Sequence, residues 1–179
     1  MIATEQTAQP HALVVLIGAP GAGKTKTGKR LARALGVEHI DTDKVIAAAH
    51  GPIADLFTAK GEPYFRELER TAVAAALGQP AVVSLGGGAV LDVDTQADLA
   101  GLPVVQLTVS REGIEERIAE TVGAIEKRPL LANGGVDAWE ELVARRQPLY
   151  DRLATVTIDT SHRTFDSVAE EVIAWMRSR

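Results

Sequence analysis

The sequence contains no cysteine, which excludes disulfides and thiolate metal sites and fits a reducing compartment. It also lacks a long apolar run: the most apolar stretch, Ala12 to Ile17, is far shorter than the ~20 residues of a membrane span and reads as a buried strand. A basic excess is missing too. With 19 Lys and Arg against 24 Asp and Glu, the net charge is −5, which argues against general nucleic-acid binding, since that relies on a basic face to displace counterions. Any anionic ligand has to be small and met by a local cationic pocket. There is no Pro/Gly/Ser-rich tract and no internal repeat, as expected of an ordinary globular chain that crosses no membrane. The first ten residues carry neither a basic cluster nor an apolar run of signal-peptide length, so neither secretion nor organelle import is indicated. A cytoplasmic protein is the expectation, with residues 1–11 as a flexible tail.

At 179 residues there is room for one domain and one core, and no second domain is expected. Short β-rich runs alternate with longer segments of helical period, and that alternation predicts an α/β fold, a parallel sheet with helices on both faces. The predicted strands are Ala12 to Ile17, Glu38 to Asp41, Ala81 to Leu85, Pro103 to Val109 and Ala154 to Asp159. Helices are predicted over Lys24 to Leu35, Glu62 to Leu77, Arg111 to Thr121, Val136 to Tyr150 and Phe165 to Arg177. Gly36 and Gly78 follow the first two as C-terminal caps, and Phe65, Leu68, Ala72, Ala75 and Ala76 form the apolar stripe of the second. The segment from Val122 to Gly135 has weak periodicity and reads as a mobile loop.

The strongest motif is Gly18-Ala19-Pro20-Gly21-Ala22-Gly23-Lys24-Thr25, a G-x-x-x-x-G-K-[ST] loop placed after a strand and at the start of a helix. Its glycines let successive backbone N–H groups curl round a phosphate. The helix N-terminus adds positive potential, Lys24 reaches the outer phosphates, and the Thr25 hydroxyl ligates Mg²⁺. Nucleoside triphosphate binding follows, but GTPases, ATPases and small-molecule kinases share the loop. A GTPase would need N-K-x-D, which is absent, and the lone D-x-x-G match, Asp98 to Gly101, precedes a strand instead of following one.

The acceptor side is read from five segments. Asp41-Thr42-Asp43 follows at the C-terminal end of the second strand, and its i, i+2 spacing would send both carboxylates the same way; one could hold magnesium and the other could orient an alcohol and take its proton. A D-x-D pair also commonly does no more than cap a helix. In Glu62 to Glu69, Arg66 is flanked by Glu62 and Glu69, which fits either surface ion pairs or an Arg fork for a substrate carboxylate. Gly86-Gly87-Gly88 after the third strand exposes backbone N–H groups at the sheet edge where such folds bind ligands. Lys127-Arg128 and Arg145-Arg146 are each readable as solvated charge or as favourable helix-end charge. Phosphoryl transfer nevertheless requires cations around the moving phosphate, and Arg128, on a loop able to close, is the candidate.

Taken in order from Leu13 to Ile173, these segments resemble the shikimate kinase family. The phosphate loop corresponds to Gly18–Thr25, D-T-D to Asp41–Asp43 and G-E-x-x-F-R-x-x-E to Gly61–Glu69. The G-G-G-A, R-P-L-L and R-x-P-L-Y motifs correspond to Gly86–Ala89, Arg128–Leu131 and Arg146–Tyr150. The resemblance implies a nucleoside-monophosphate-kinase-like fold with strand order 2-3-1-4-5, a substrate-binding region near residues 43–70 and a lid near 120–135. It implies transfer of phosphate from ATP to the 3-hydroxyl of shikimate, in aromatic amino acid synthesis. By resemblance, Thr25 and Asp41 are magnesium residues, and Gly21, Ala22, Gly23, Lys24, Thr25 and Lys26 cradle the nucleotide. Asp43 binds the substrate hydroxyls and is the base, Arg66 and Arg146 clamp the carboxylate, and Gly87 and Gly88 give backbone contacts. Lys24 and Arg128 stabilise the transferring phosphate, and Arg117 corresponds to the family's adenine-stacking arginine. Thr160 to Thr164 stands in place of the adenine loop without its usual Asn/Arg/Pro pattern.

A kinase for another acceptor, such as gluconate or a nucleoside monophosphate, is the nearest alternative, and a non-catalytic ATP-binding module is the alternative from another class. The histidines at 11, 39, 50 and 162 lack a metal-ligand spacing, so magnesium is the only metal expected. Trp139 and Trp175 sit on helical stripes and read as core, and Trp139, just beyond the lid, is expected to report its closure by fluorescence. No coiled-coil pattern points to obligate assembly, so a monomer is expected.

Overall fold

The computed structural model describes residues 11–120 and 135–179. Residues 1–10 of the expected tail, nearly all of the expected lid, and Arg128 lie outside the described residues. Five strands, β1 (Val14–Ile17), β2 (His39–Asp41), β3 (Val82–Ser84), β4 (Val104–Thr108) and β5 (Val156–Asp159), form one sheet. Its order is β2-β3-β1-β4-β5, and every neighbouring pair is parallel. Around it run α1 (Lys24–Leu35), α2 (Thr42–His50), α3 (Ile53–Leu77), α4 (Val93–Asp98), α5 (Arg111–Ala119), α6 (Gly135–Leu153) and α7 (Phe165–Arg177).

Side chains alternate across a strand, so the central strand β1 feeds two cores. Val14 and Leu16 join Leu31, Val105, Val168 and Val172 beneath α1 and α7. Val15 and Ile17 join Val73, Leu77, Val83 and Tyr150 beneath α3 and α6. All four residues of β1 are buried, as a strand covered on both faces requires.

The predicted strands hold, trimmed by one or two residues, and α1 and α7 have the predicted bounds. Gly36 caps α1 with φ +68°. Gly78 closes α3 at φ −80°, so its cap does not use the left-handed region. The second strand stops at Asp41, as predicted, and the helix-cap reading of the D-x-D pair holds for Asp41, which caps α2 by accepting from the Lys44 N–H at 3.3 Å; Asp43 lies in the first helical turn, so the i, i+2 strand geometry expected to align the two carboxylates does not apply. Helix α3 begins earlier than predicted and breaks at Gly61 (φ +81°). Ala75 is exposed, while Glu69 and Val73 face inward. Among the described residues, no helix is long and apolar enough to cross a membrane.

Candidate active site

The C-terminal ends of β1, β2 and β3 bring three loops together, as the topology of an open parallel sheet dictates. The first follows β1. Gly21 and Gly23 take φ +87° and +94°, values that side chains strain to adopt, and Gly23 leads directly into α1. Lys24 Nζ donates to the carbonyls of Gly18 and Ala19 at 2.8 and 3.0 Å, so the cation lies over the cradle it is expected to serve. The loop is backed by Arg117, which donates to the Gly21 carbonyl at 2.8 Å and to the Thr160 carbonyl at 2.5 Å, and which lies with Lys26 over the Phe165 ring.

The second loop carries the carboxylates. The Thr25 hydroxyl donates to Asp41 Oδ2 at 2.5 Å, which joins the two expected magnesium residues although one lies in the first turn of α1 and the other ends β2. A hydroxyl and a carboxylate, completed by phosphate oxygens and water, are the donors Mg²⁺ takes, so the pair fits the ion. Burial pushes the Asp43 carboxyl above its ordinary pKa, and Asp41 adds to the rise; Lys24 and Arg66 oppose it. Asp43 is thereby moved toward the range in which a carboxylate serves as a base near neutrality.

The third loop, Gly86–Gly88, is where the acceptor residues converge. A β-carbon at Gly86 would lie 2.5 Å from Asp43 Oδ1 and 2.6 Å from Glu69 Oε1, and one at Gly88 would lie 2.4 Å from an Arg66 guanidinium nitrogen. Glycine at both positions therefore lets the charged side chains approach this closely, and a β-carbon would push them aside. Thr42 Oγ1 accepts the Gly86 N–H at 3.0 Å and holds the loop to the start of α2.

Sequence reasoning missed the part played by Glu69. It is 3% exposed and accepts from Arg66 at 2.5 Å, while Glu62 holds the same guanidinium at 2.9 Å from the solvent side. Burial pushes the Glu69 carboxyl up, against the charge and hydrogen bond of Arg66; the charge of Arg146 also opposes the rise. The Arg66 charge is reinforced, because its two glutamate partners outweigh its own burial. A charged residue four after Phe65 and four before Val73, inside an apolar stripe, was the available signal. Arg146, half-buried on α6, lies near enough for its charge to act on both Glu69 and the Tyr150 hydroxyl, so the charges of both arginines expected to clamp a carboxylate bear on one glutamate, to which Arg66 is also hydrogen-bonded. The structure thus brings together Lys24, Thr25, Asp41, Asp43, Arg66, Gly87, Gly88 and Arg146, with Arg117 and Lys26 on the far side of the phosphate loop.

Comparison with known proteins agrees with this geometry. The family model described as shikimate kinase matches residues 20–177. The chain is 48% identical to a shikimate kinase of Frankia casuarinae, over 90% of this chain and 71% of the relative. It is 46% identical to one of Thermobifida fusca, over 88% and 91%. A shikimate kinase of Acinetobacter baumannii, solved in complex with shikimate, superposes with a TM-score of 0.85 at 29% identity, covering 94% of each chain. The chain is a P-loop kinase and belongs to the shikimate kinase family.

Proposed function

We propose that this chain transfers the γ-phosphoryl group of ATP, as its magnesium complex, to the 3-hydroxyl of shikimate, giving shikimate 3-phosphate and ADP in aromatic amino acid biosynthesis. The observation that carries this reading is the convergence of Asp43, Arg66 and Arg146 around Gly86–Gly88, beside Lys24. Two guanidiniums beside one glycine loop suit an acceptor that bears a carboxylate, which nucleoside monophosphates lack.

Thr25 and Asp41 would hold Mg²⁺, which neutralises charge across the β- and γ-phosphates when bound. Gly21, Ala22, Gly23, Lys24 and Lys26 embrace the phosphates, and Arg117, placed over Phe165, takes the adenine side. Asp43 orients the acceptor hydroxyl and removes its proton as oxygen attacks the γ-phosphorus; its raised pKa makes it a better base than an ordinary carboxylate. Arg66 and Arg146 bind the shikimate carboxylate, Gly87 and Gly88 offer backbone N–H groups, and Lys24 with Arg128 stabilises charge on the moving phosphoryl group. The enzyme works as a cytoplasmic monomer.

Measuring both Michaelis constants in Arg66→Ala tests the clamp. The KM for shikimate should rise about a hundredfold, the effect of losing a charged hydrogen-bonded partner, with little change for ATP. Equal rises for both would refute the clamp.

A further inference from the structure

Trp139 is 3% exposed and lies among Ala19, Ile114, Val136 and Val143. A buried indole needs an acceptor for its single N–H, and Trp139 Nε1 donates to the Pro20 carbonyl, inside the phosphate loop, at 2.8 Å. The other side of Pro20 is confined as well: its ring rests on Gly87, where an added β-carbon would meet Cδ at 3.1 Å. Gly87 in turn gives its carbonyl to the Tyr150 hydroxyl at 2.6 Å. Trp139 and Tyr150 are about three turns apart on α6 and so share one face of it. One helix therefore grips the nucleotide loop and the acceptor loop where they touch.

The bond to Pro20 has a consequence at the next residue. A peptide unit is planar and trans, so the carbonyl of residue i and the N–H of residue i+1 point in opposite directions; the described chain has no cis peptide. Fixing the Pro20 carbonyl toward Trp139 directs the Gly21 N–H away from α6. At φ +87°, Gly21 would otherwise let this peptide rotate at little cost. We infer that Trp139 is a positioning residue for the nucleotide: its indole N–H holds the Pro20–Gly21 peptide in the orientation that aims the Gly21 N–H into the phosphate cradle. This rests on the reading of Gly18–Thr25 as the ATP loop and extends it to a residue well over a hundred positions away in sequence. It also changes what the tryptophan should report. Bonded to the loop itself, Trp139 responds to nucleotide alone, with no acceptor required.

Trp139→Phe keeps an aromatic ring in the cluster and removes the donor. By calorimetry, its dissociation constant for Mg-ADP should rise about tenfold, as for a buried carbonyl left unpaired, while the KM for shikimate stays within about twofold. An unchanged ADP constant, or equal weakening toward both ligands, overturns the proposal. If Trp139→Phe does not fold, Trp175→Phe leaves Trp139 as the sole indole of the chain. Its emission should shift on titration with Mg-ADP alone, and a flat trace at calorimetrically verified saturation overturns the proposal. A chain that binds ADP through Trp139 but never phosphorylates shikimate would refute the acceptor assignment and leave this inference standing.

Discussion

Replacing Glu69 by glutamine separates the two tasks of the buried carboxylate, which are to hold Arg66 and to carry a charge out of water. Stripping one partner from a fully buried ion pair costs about 3–5 kcal/mol. Here the Arg66 side chain is 28% exposed and keeps Glu62, itself 59% exposed, so solvent screening reduces the loss to roughly 1–2 kcal/mol. Opposing it, burial raises the Glu69 pKa, which means the fold disfavours the charged form and recovers stability when the charge is gone. Glutamine also retains an oxygen that can accept from Arg66. The melting temperature of Glu69→Gln should therefore fall by less than about 4 °C. Binding responds differently, because an arginine held by a neutral amide oxygen and a solvent-exposed glutamate is fixed less tightly beside Gly88 than one paired with a buried carboxylate. An orientation loss of about 1.4 kcal/mol corresponds to a roughly tenfold higher KM for shikimate, with the KM for ATP unaltered. Initial rates of ADP release at varied concentrations of each substrate, paired with a thermal melt, measure all three quantities. An unchanged shikimate KM, or an ATP KM that rises in step, would refute the reasoning.

Asp43→Asn should abolish turnover and yet raise the melting temperature at neutral pH. The wild-type carboxyl has its folded pKa raised by burial, so its charge costs stability above that value, and the cost vanishes once pH falls below the ordinary unfolded value. The stabilisation by asparagine should accordingly shrink as the melts are moved to acidic pH; a gain that grows with acidity would contradict the burial argument. Gly88→Ala should raise the KM for shikimate, because its methyl would sit 2.4 Å from an Arg66 nitrogen and must push the guanidinium aside. Wild-type kinetics in that variant would mean that Arg66 is not held against Gly88 during binding.

Much of this site was legible in the sequence where chemistry follows from local pattern. The phosphate loop needs glycines, a lysine and a hydroxyl at fixed spacing, and the triple glycine marks a close approach whatever approaches it. The i, i+2 argument for Asp41 and Asp43 invoked strand geometry, but the side chain of Asp41 accepts from the Lys44 N–H and starts a helix there, so local capping ended the strand. The two residues still converge, because both sit at the sheet edge. Legibility failed where the partner is remote in sequence: no spacing rule joins Trp139 to Pro20, Tyr150 to Gly87, or Ser84 to His39 at 2.9 Å. Glu69 was half legible, visible as the partner of Arg66 but not as buried, since burial is decided by the glycine loop that packs over it.

Whether shikimate accepts the phosphate is decided by coupled measurement of ADP release with Mg²⁺ and ATP. Shikimate, gluconate and nucleoside monophosphates are supplied in turn, to the wild-type chain and to Asp43→Asn. Release should depend on shikimate, stay at background with the other acceptors, and be lost in Asp43→Asn. Turnover with another acceptor alone, or shikimate turnover that survives the loss of the Asp43 carboxylate, would contradict the proposed reaction.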